Sequence, residues 1–158
     1  MGASQSSTSE AIAVFRSKIY GVVMFSEDLT HVHININLKG LPPGKHGFHI
    51  HEFGDLRHNC KSACGHYNPQ GMKHGDLNNR YSHAGDLGNI IANKQGNCIM
   101  KLTTTKFKFA IQDIIGRCLI IHADEDDLSS ATESGNSGDR IACEVIGIAM
   151  PAGRPLNL

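Results

Sequence analysis

Hydrophobic and polar positions along this chain alternate far more often than they recur at helical spacing. In residues 30–41, "THVHININLKGL", Val32, Ile34, Ile36 and Leu38 fall on one side and His31, His33, Asn35, Asn37 and Lys39 on the other. Successive residues of a strand point to opposite faces, so this stretch predicts a strand with one buried side. His31 and His33 lie opposite the apolar side, and the pattern alone places them in solvent rather than on a metal. Comparable patterns predict strands over 11–16, 20–25, 45–51, 89–93, 97–103, 118–122 and 142–149. Gly, Pro and Asn punctuate the breaks between them. Eight short strands of this kind imply an all-β fold, an eight-stranded antiparallel Greek-key barrel or sandwich. Residues 1–10 read as a flexible polar tail and residues 11–158 as one domain.

Two segments do not fit the alternation. Residues 52–88 carry recurrent glycine and four histidines with no clear period, and residues 123–140 are rich in Asp, Ser and Gly. Structureless loops of that length inside a compact domain are uncommon and usually functional. The fold therefore has two long functional loops, and something must hold the first one in place.

Charge narrows the function. Fifteen basic and fifteen acidic side chains cancel, which argues against nucleic-acid binding driven by net charge. The apolar runs are too short to span a bilayer and none reads as a secretory h-region, so the expected location is cytoplasmic. Gly2 and Ser6 match an N-myristoylation pattern, but no polybasic cluster accompanies them, and membrane attachment is not expected. Five cysteines are an odd number, for which free thiols are the default in a reducing compartment.

The histidines carry the chemistry. In "GFHIHEFG", His49 and His51 share one strand face while Phe48 and Ile50 take the other. Two imidazoles in apolar surroundings need partners, and a metal is one that neutral imidazole binds readily. Within the first loop, His66, His74, His83 and Asp86 supply four N/O donors, the number a tetrahedral zinc site takes. Binding an ion would order that loop. His122 ends the apolar run "CLIIH" at the mouth of the second loop. Their spacing matches no common zinc-finger pattern, and a histidine-rich polar loop or a capped strand-end histidine is the alternative.

In order along the chain, "GFHIHEFGD", "HYNPQGMKHG", "HAGDLGNI", "LIIHADEDDL" and "GNSGDRIACEVIGIA" resemble the signatures of copper/zinc superoxide dismutases. The resemblance covers roughly residues 11–149. It implies copper on His49, His51, His66 and His122, and zinc on His66, His74, His83 and Asp86, with His66 shared. It implies that Arg140 holds superoxide, that Asp126 hydrogen-bonds His49 and His74, and that Cys60 and Cys143 form a disulfide. It further implies a homodimer, through Phe53-Gly54, Ile115-Gly116 and the segment ending Ile148-Ala149-Met150, and a copper chaperone as a partner in metal loading. Cys64 is expected to be idle, and Cys98 and Cys118 to be core residues.

One departure from the family stands out. Only "SSATES" separates Leu128 from Gly135, and no lysine lies between His122 and Arg140. Attraction of the anion then falls to Arg140, the copper and basic residues elsewhere, with Lys61 and Lys73 as candidates, and weak electrostatic steering is the expectation. Two rival readings are a non-enzymatic partner-binding domain of the same fold and a histidine-based metal store. The intact ligand set with Arg140 argues against the first, and one copper plus one zinc per chain would argue against the second.

Overall fold

The computed structural model describes residues 10–156. The tail expected over residues 1–10 and the Gly2 motif lie almost wholly outside these residues. Ten strands form. They are β1 (Glu10–Arg16), β2 (Tyr20–Glu27), β3 (His31–Lys39), β4 (Gly44–His51), β5 (Arg57–Cys60), β6 (Asp86–Ala92), β7 (Cys98–Thr105), β8 (Cys118–His122), β9 (Arg140–Val145) and β10 (Gly147–Ile148). A one-turn helix, α1 (Ile111–Ile114), precedes β8 and turns Ile111 and Ile114 into the core. Among the described residues no helix is long and apolar enough to cross a membrane.

Two antiparallel sheets face each other. One runs β10-β1-β2-β3-β7 and the other β6-β4-β8-β9. The alternation of β3 is realised as written: Val32, Ile34, Ile36 and Leu38 are buried. They meet Phe48 and Ile50 of β4 and Leu119 and Ile121 of β8 in one core cluster. Each such side chain contributes roughly 1.5–3 kcal/mol on burial. The pairing register is therefore strongly fixed, because a one-residue slip would turn this apolar set outward.

The same parity places the site. Phe48 pairs with Ile121, so His49 and His51, paired with Ile120 and Cys118, lie on the outer face of the sheet. That face is also buried. Ile120 and Cys118 join Ala63, with Leu56, Cys60 and Cys143 packed against them, in a small second cluster beneath the first loop. Every residue of β8 is consequently buried, on one side by the core and on the other by the loop.

Three boundaries differ from the sequence reading. The strand expected over 89–93 begins at Asp86, which stands opposite His49 in the β4–β6 ladder. Asp86 is thus the first residue of a strand, not part of the loop. The strand expected over 142–149 divides into β9 and β10, which belong to different sheets. Ile146 makes the break by exchanging backbone hydrogen bonds with Gly116 and Arg117, both 2.8 Å. The first loop is also more structured than expected, since it contains β5 and a turn of 3-10 helix over Lys61–Ala63.

Candidate metal centre

Two clusters of metal-ligating side chains adjoin one another on the outer face of β4. His49, His51, His66 and His122 present ligand atoms within 4.8 Å of one another, and all but the partly buried His66 are fully buried. Strand β4 supplies the first two, the end of β8 supplies His122, and the first loop brings in His66 through an isolated bridge to His51.

The second cluster centres on Asp86. Its Oδ1 lies 2.8 Å from His66 Nδ1, 3.1 Å from His74 Nδ1 and 3.2 Å from His83 Nδ1. His83 Nδ1 is also 3.3 Å from His66 Nδ1. Three Nδ1 atoms and one carboxylate oxygen converge on one point. His49 also comes within 4.8 Å of His66, His74 and Asp86. Its Nε2 is already committed to Asp126, which leaves His83 as the fitting fourth donor. The other carboxylate oxygen of Asp86 accepts from the backbone N–H groups of Gly75 and His83, fixing the carboxylate.

Asp126 links the clusters. Its Oδ2 is 2.7 Å from His49 Nε2 and its Oδ1 is 2.8 Å from His74 Nε2, with all three side chains fully buried. Gly135 makes room for this bridge. A Cβ there would overlap both Asp126 Oδ1 and His74 Nε2, and its φ of +59° suits glycine besides.

The pattern of unsatisfied atoms indicates what the site holds. Five buried side-chain polar atoms lack a hydrogen-bond partner among the described residues. Four are imidazole nitrogens: His49 Nδ1, His51 Nε2, His122 Nε2 and His83 Nε2. His83 Nε2 has the exposed Glu133 carboxylate 3.2 Å away without hydrogen-bond geometry. The first three all belong to the His49–His51–His66–His122 cluster. Each orphaned polar atom costs about 1–3 kcal/mol. Three together would consume much of a domain's net stability of roughly 5–15 kcal/mol. A bound metal removes that penalty.

Protonation agrees with ligation. Burial pushes the His49 ring down to about 3 and the His122 ring to about 4, and lowers His51 and His66 as well. Neutral rings keep the lone pairs that a metal needs. His74 behaves oppositely. Burial works against its charge, yet Asp126 and Asp86 outweigh it and raise the metal-free ring to about 9.

Arg140 closes the site. It pairs with His122 across a bulge between β8 and β9. Its Nη1 donates to the Cys60 carbonyl at 2.7 Å and its Nη2 to the Cys64 carbonyl. The guanidinium borders a cleft of about 440 Å³ that His51, His66, His83, His122 and Glu133 also line. Lys61 lines an adjoining cleft with Arg140, whereas Lys73 borders neither. Cys60 and Cys143 form a disulfide that ties this loop to β9. Closing a loop of 83 residues stabilises by about 4–5 kcal/mol on the chain-entropy model.

Cys64 is not idle in the backbone. Its carbonyl accepts from His51 Nδ1 at 2.9 Å as well as from Arg140. Two further residues escaped the sequence reading. His46 is buried and sets its two ring nitrogens against the carbonyls of His122, 2.8 Å, and Pro42, 2.7 Å. Lys108 is buried behind the Asp86 cluster, with Nζ donating to Ser82 Oγ at 2.7 Å and to the Asp86 carbonyl at 3.1 Å. A lone lysine amid Thr and Phe gives no sequence signal for such a role.

The model for copper/zinc superoxide dismutase matches residues 19–146. The chain belongs to the copper/zinc superoxide dismutase family. It is 44% identical over 146 residues to the copper/zinc superoxide dismutase of Paramecium bursaria Chlorella virus 1, spanning 88% of this chain and 78% of that one. It is 38% identical over 154 residues to the extracellular copper/zinc superoxide dismutase of Brugia pahangi, covering 90% and 77% of the two chains. The extracellular enzyme of Onchocerca volvulus is 40% identical over 152 residues, covering 88% and 76%. Among solved structures, the clock protein EA4 superposes with a TM-score of 0.84 at 36% identity, over 94% of this chain and all of that one. The family's fold is the Greek-key sandwich expected from the alternation, here with two open sheets.

Proposed function

We propose that this chain carries out the family's reaction, in which two superoxide ions and two protons become dioxygen and hydrogen peroxide. In this reading His49 Nδ1, His51 Nε2, His66 and His122 Nε2 hold copper. The Nδ1 atoms of His66, His74 and His83, with Asp86, hold zinc. When bound, copper supplies the one-electron couple that accepts an electron from one superoxide and returns it to the next, while zinc is redox-silent. The unpartnered nitrogens of His49, His51 and His122 carry the assignment.

The chain's own groups have distinct tasks. His66 turns Nδ1 toward Asp86 and keeps its other nitrogen for the His49 cluster, where that atom takes up a proton and passes it to the product. Asp126 holds the Nε2 protons of His49 and His74, which fixes both rings and leaves each Nδ1 to its metal. Arg140, anchored on two loop carbonyls, offers its remaining N–H groups to the anion in the cleft and stabilises charge that builds there. The buried sheet face excludes bulk water from all but the cleft.

The test is superoxide decay with the copper- and zinc-loaded protein, beside His122→Ala and Arg140→Ala. The account expects rapid catalysis, near-complete loss in His122→Ala, and a drop of roughly 10-fold or more in Arg140→Ala. Decay no faster than buffer with metal-replete protein would overturn it.

A homodimer is part of the proposal. The three expected contact segments lie together: Gly54 abuts the Gly116 carbonyl and Val145, and Ile146 pairs with Gly116. Phe53, Val145, Ile148 and Met150 are exposed on the flanks. Exposed apolar side chains beside these close backbone contacts support this reading. Light scattering of wild type and Ile148→Asp tests it, with a monomer expected only for the variant. We also propose a cytoplasmic location, supported by three free thiols, Cys64, Cys98 and Cys118. Fractionation of source cells decides between this and the extracellular location of two of the relatives.

A further inference from the structure

Outside the metal centre, two imidazoles and a carboxylate are neighbours on the outer face of the five-stranded sheet, more loosely gathered than the ligands of either metal cluster. His31 and His33 share that face of β3, as their alternation dictates. Their rings are nearly parallel, 28° apart, with centres separated by 6.3 Å. The turn between β2 and β3 adds Asp28. Its Oδ1 accepts from the backbone N–H groups of Thr30 and His31, each at 2.8 Å, so the carboxylate is fixed by the turn itself. Oδ2 is thereby aimed at His33 Nε2, 2.9 Å away. Oδ1 lies 3.9 Å from His31 Nδ1.

We propose that Asp28, His31 and His33 form a surface site for one divalent transition-metal ion, with copper(II) held most tightly. The donor set is two imidazoles and one carboxylate, which suits copper, zinc and nickel, and copper(II) leads that series. Metal–nitrogen bonds of about 2.0–2.1 Å place two rings at adjacent positions on one ion roughly 4.5–5 Å apart, centre to centre. To reach that range the His31 ring must turn toward His33, and its side chain is 45% exposed. At present its Nδ1 bonds the neighbouring Thr30 hydroxyl at 2.7 Å, a contact that water can replace.

An ion here would replace hydrogen bonds that the three residues now make to one another and to Thr30. His33 Nδ1 is 3.2 Å from Thr103 Oγ1 on β7. Nε2 now donates to Asp28 Oδ2, and shifting that proton to Nδ1, where Thr103 accepts it, would free the Nε2 lone pair that ligation requires. Hydrogen bonds from the Thr30 backbone, the His33 ring and the His31 backbone hold the Asp28 carboxyl below the usual carboxylate range, so it meets the ion already charged. Arg80 borders the cleft that also includes His31, and its charge sets a limit on the affinity. The site is built on β3 and the β2–β3 turn, in the sheet opposite β4 and β8, and it shares no residue with the dismutase centre.

Copper(II) titrated calorimetrically into protein already loaded with one copper and one zinc tests this. Wild type should bind one further equivalent, showing hyperfine coupling to two imidazole nitrogens by electron paramagnetic resonance. His31→Ala and His33→Ala should each weaken that binding roughly 10- to 100-fold and leave superoxide decay and Tm unchanged. His33→Gln, which can still bond Thr103, should weaken it equally. No further equivalent in the wild type, or an equivalent that survives in the double variant His31→Ala/His33→Ala, would overturn the proposal.

Discussion

His74 Nε2 and Asp126 Oδ1 lie 2.8 Å apart with both side chains fully buried, and the other oxygen of the same carboxylate holds His49. One side chain therefore orients a ring in each cluster. Asp126→Asn should reduce affinity for both metals, each by about 10- to 100-fold, since residues orienting metal ligands typically carry that much. Gly135→Ala, which crowds the same carboxylate, should do likewise. Equilibrium dialysis of copper and zinc separately is the check. Loss confined to one metal would break the claim that the two sites share this brace.

The metal-free protein should show an unusual alkaline limb in its stability. His74 is raised from an ordinary 6.5 to about 9 when folded. A folded value above the unfolded one contributes stability that is fully present below about 6.5 and lost as pH rises through about 9. Zinc needs Nδ1 bare, so uptake near neutral pH must release one proton. Its affinity should climb by up to about tenfold per pH unit until pH approaches 9. Calorimetry in buffers of different protonation enthalpy counts that proton, and a count of zero contradicts the pairing.

Steering should be weak. Among the groups bordering the cleft at His66 and His122, Arg140 is opposed by Glu133, and Lys61 sits in the adjoining cleft. The rate constant should therefore fall only gently between low and physiological salt, and Glu133→Gln should raise it. Stopped-flow or pulsed generation of superoxide across a salt series measures this. A steep decline would show a focusing field that these residues do not account for.

Cys64 occupies φ +64°, ψ −142°, a backbone conformation that glycine alone adopts freely. Replacing it should relieve strain of about 1–3 kcal/mol, less the entropy glycine loses on folding. Cys64→Gly should raise Tm while keeping the carbonyl that His51 and Arg140 use. Thiol labelling adds an independent check. Exposed Cys64 should react quickly, while Cys118, whose thiol burial pushes up to about 12, and buried Cys98 should resist. A lower Tm for Cys64→Gly would mean that the conformation is not strained.

Much of the fold is legible in the sequence because period-two patterning is strong where one sheet face meets the core. Residues 31–39 are the clearest case, and the same parity correctly sends His49 and His51 away from Phe48 and Ile50. Patterning fails where pairing is decided at a distance. Nothing in "CEVIGIA" signals that Ile146 leaves one sheet for the other, because the partners that draw it off are the backbone groups of residues 116 and 117. The start of β6 was obscured by Gly85 and Gly88, which read as breaks. Asp86 is instead pinned by its ladder position opposite His49. β5, "RHNC", has no apolar alternation, and the disulfide and Arg140 hold its neighbourhood. The candidate ligands were legible locally, but their division between two ions was legible only through long motifs, since residues 49 to 126 are brought together by two loops whose geometry no local period encodes. His46 and Lys108 left no signal, for each is one polar residue whose partners lie elsewhere in the chain.

The central claim is that His66 serves both ions. Anomalous diffraction from crystals of the oxidised, metal-loaded protein, recorded at the copper and zinc absorption edges, tests it directly. The account predicts one ion at each ring nitrogen of His66, zinc beside Asp86 at Nδ1 and copper among His49, His51 and His122 at the other. A His66 ring turned away from both ions, or a single ion occupying only one of the two clusters in fully loaded protein, would contradict it.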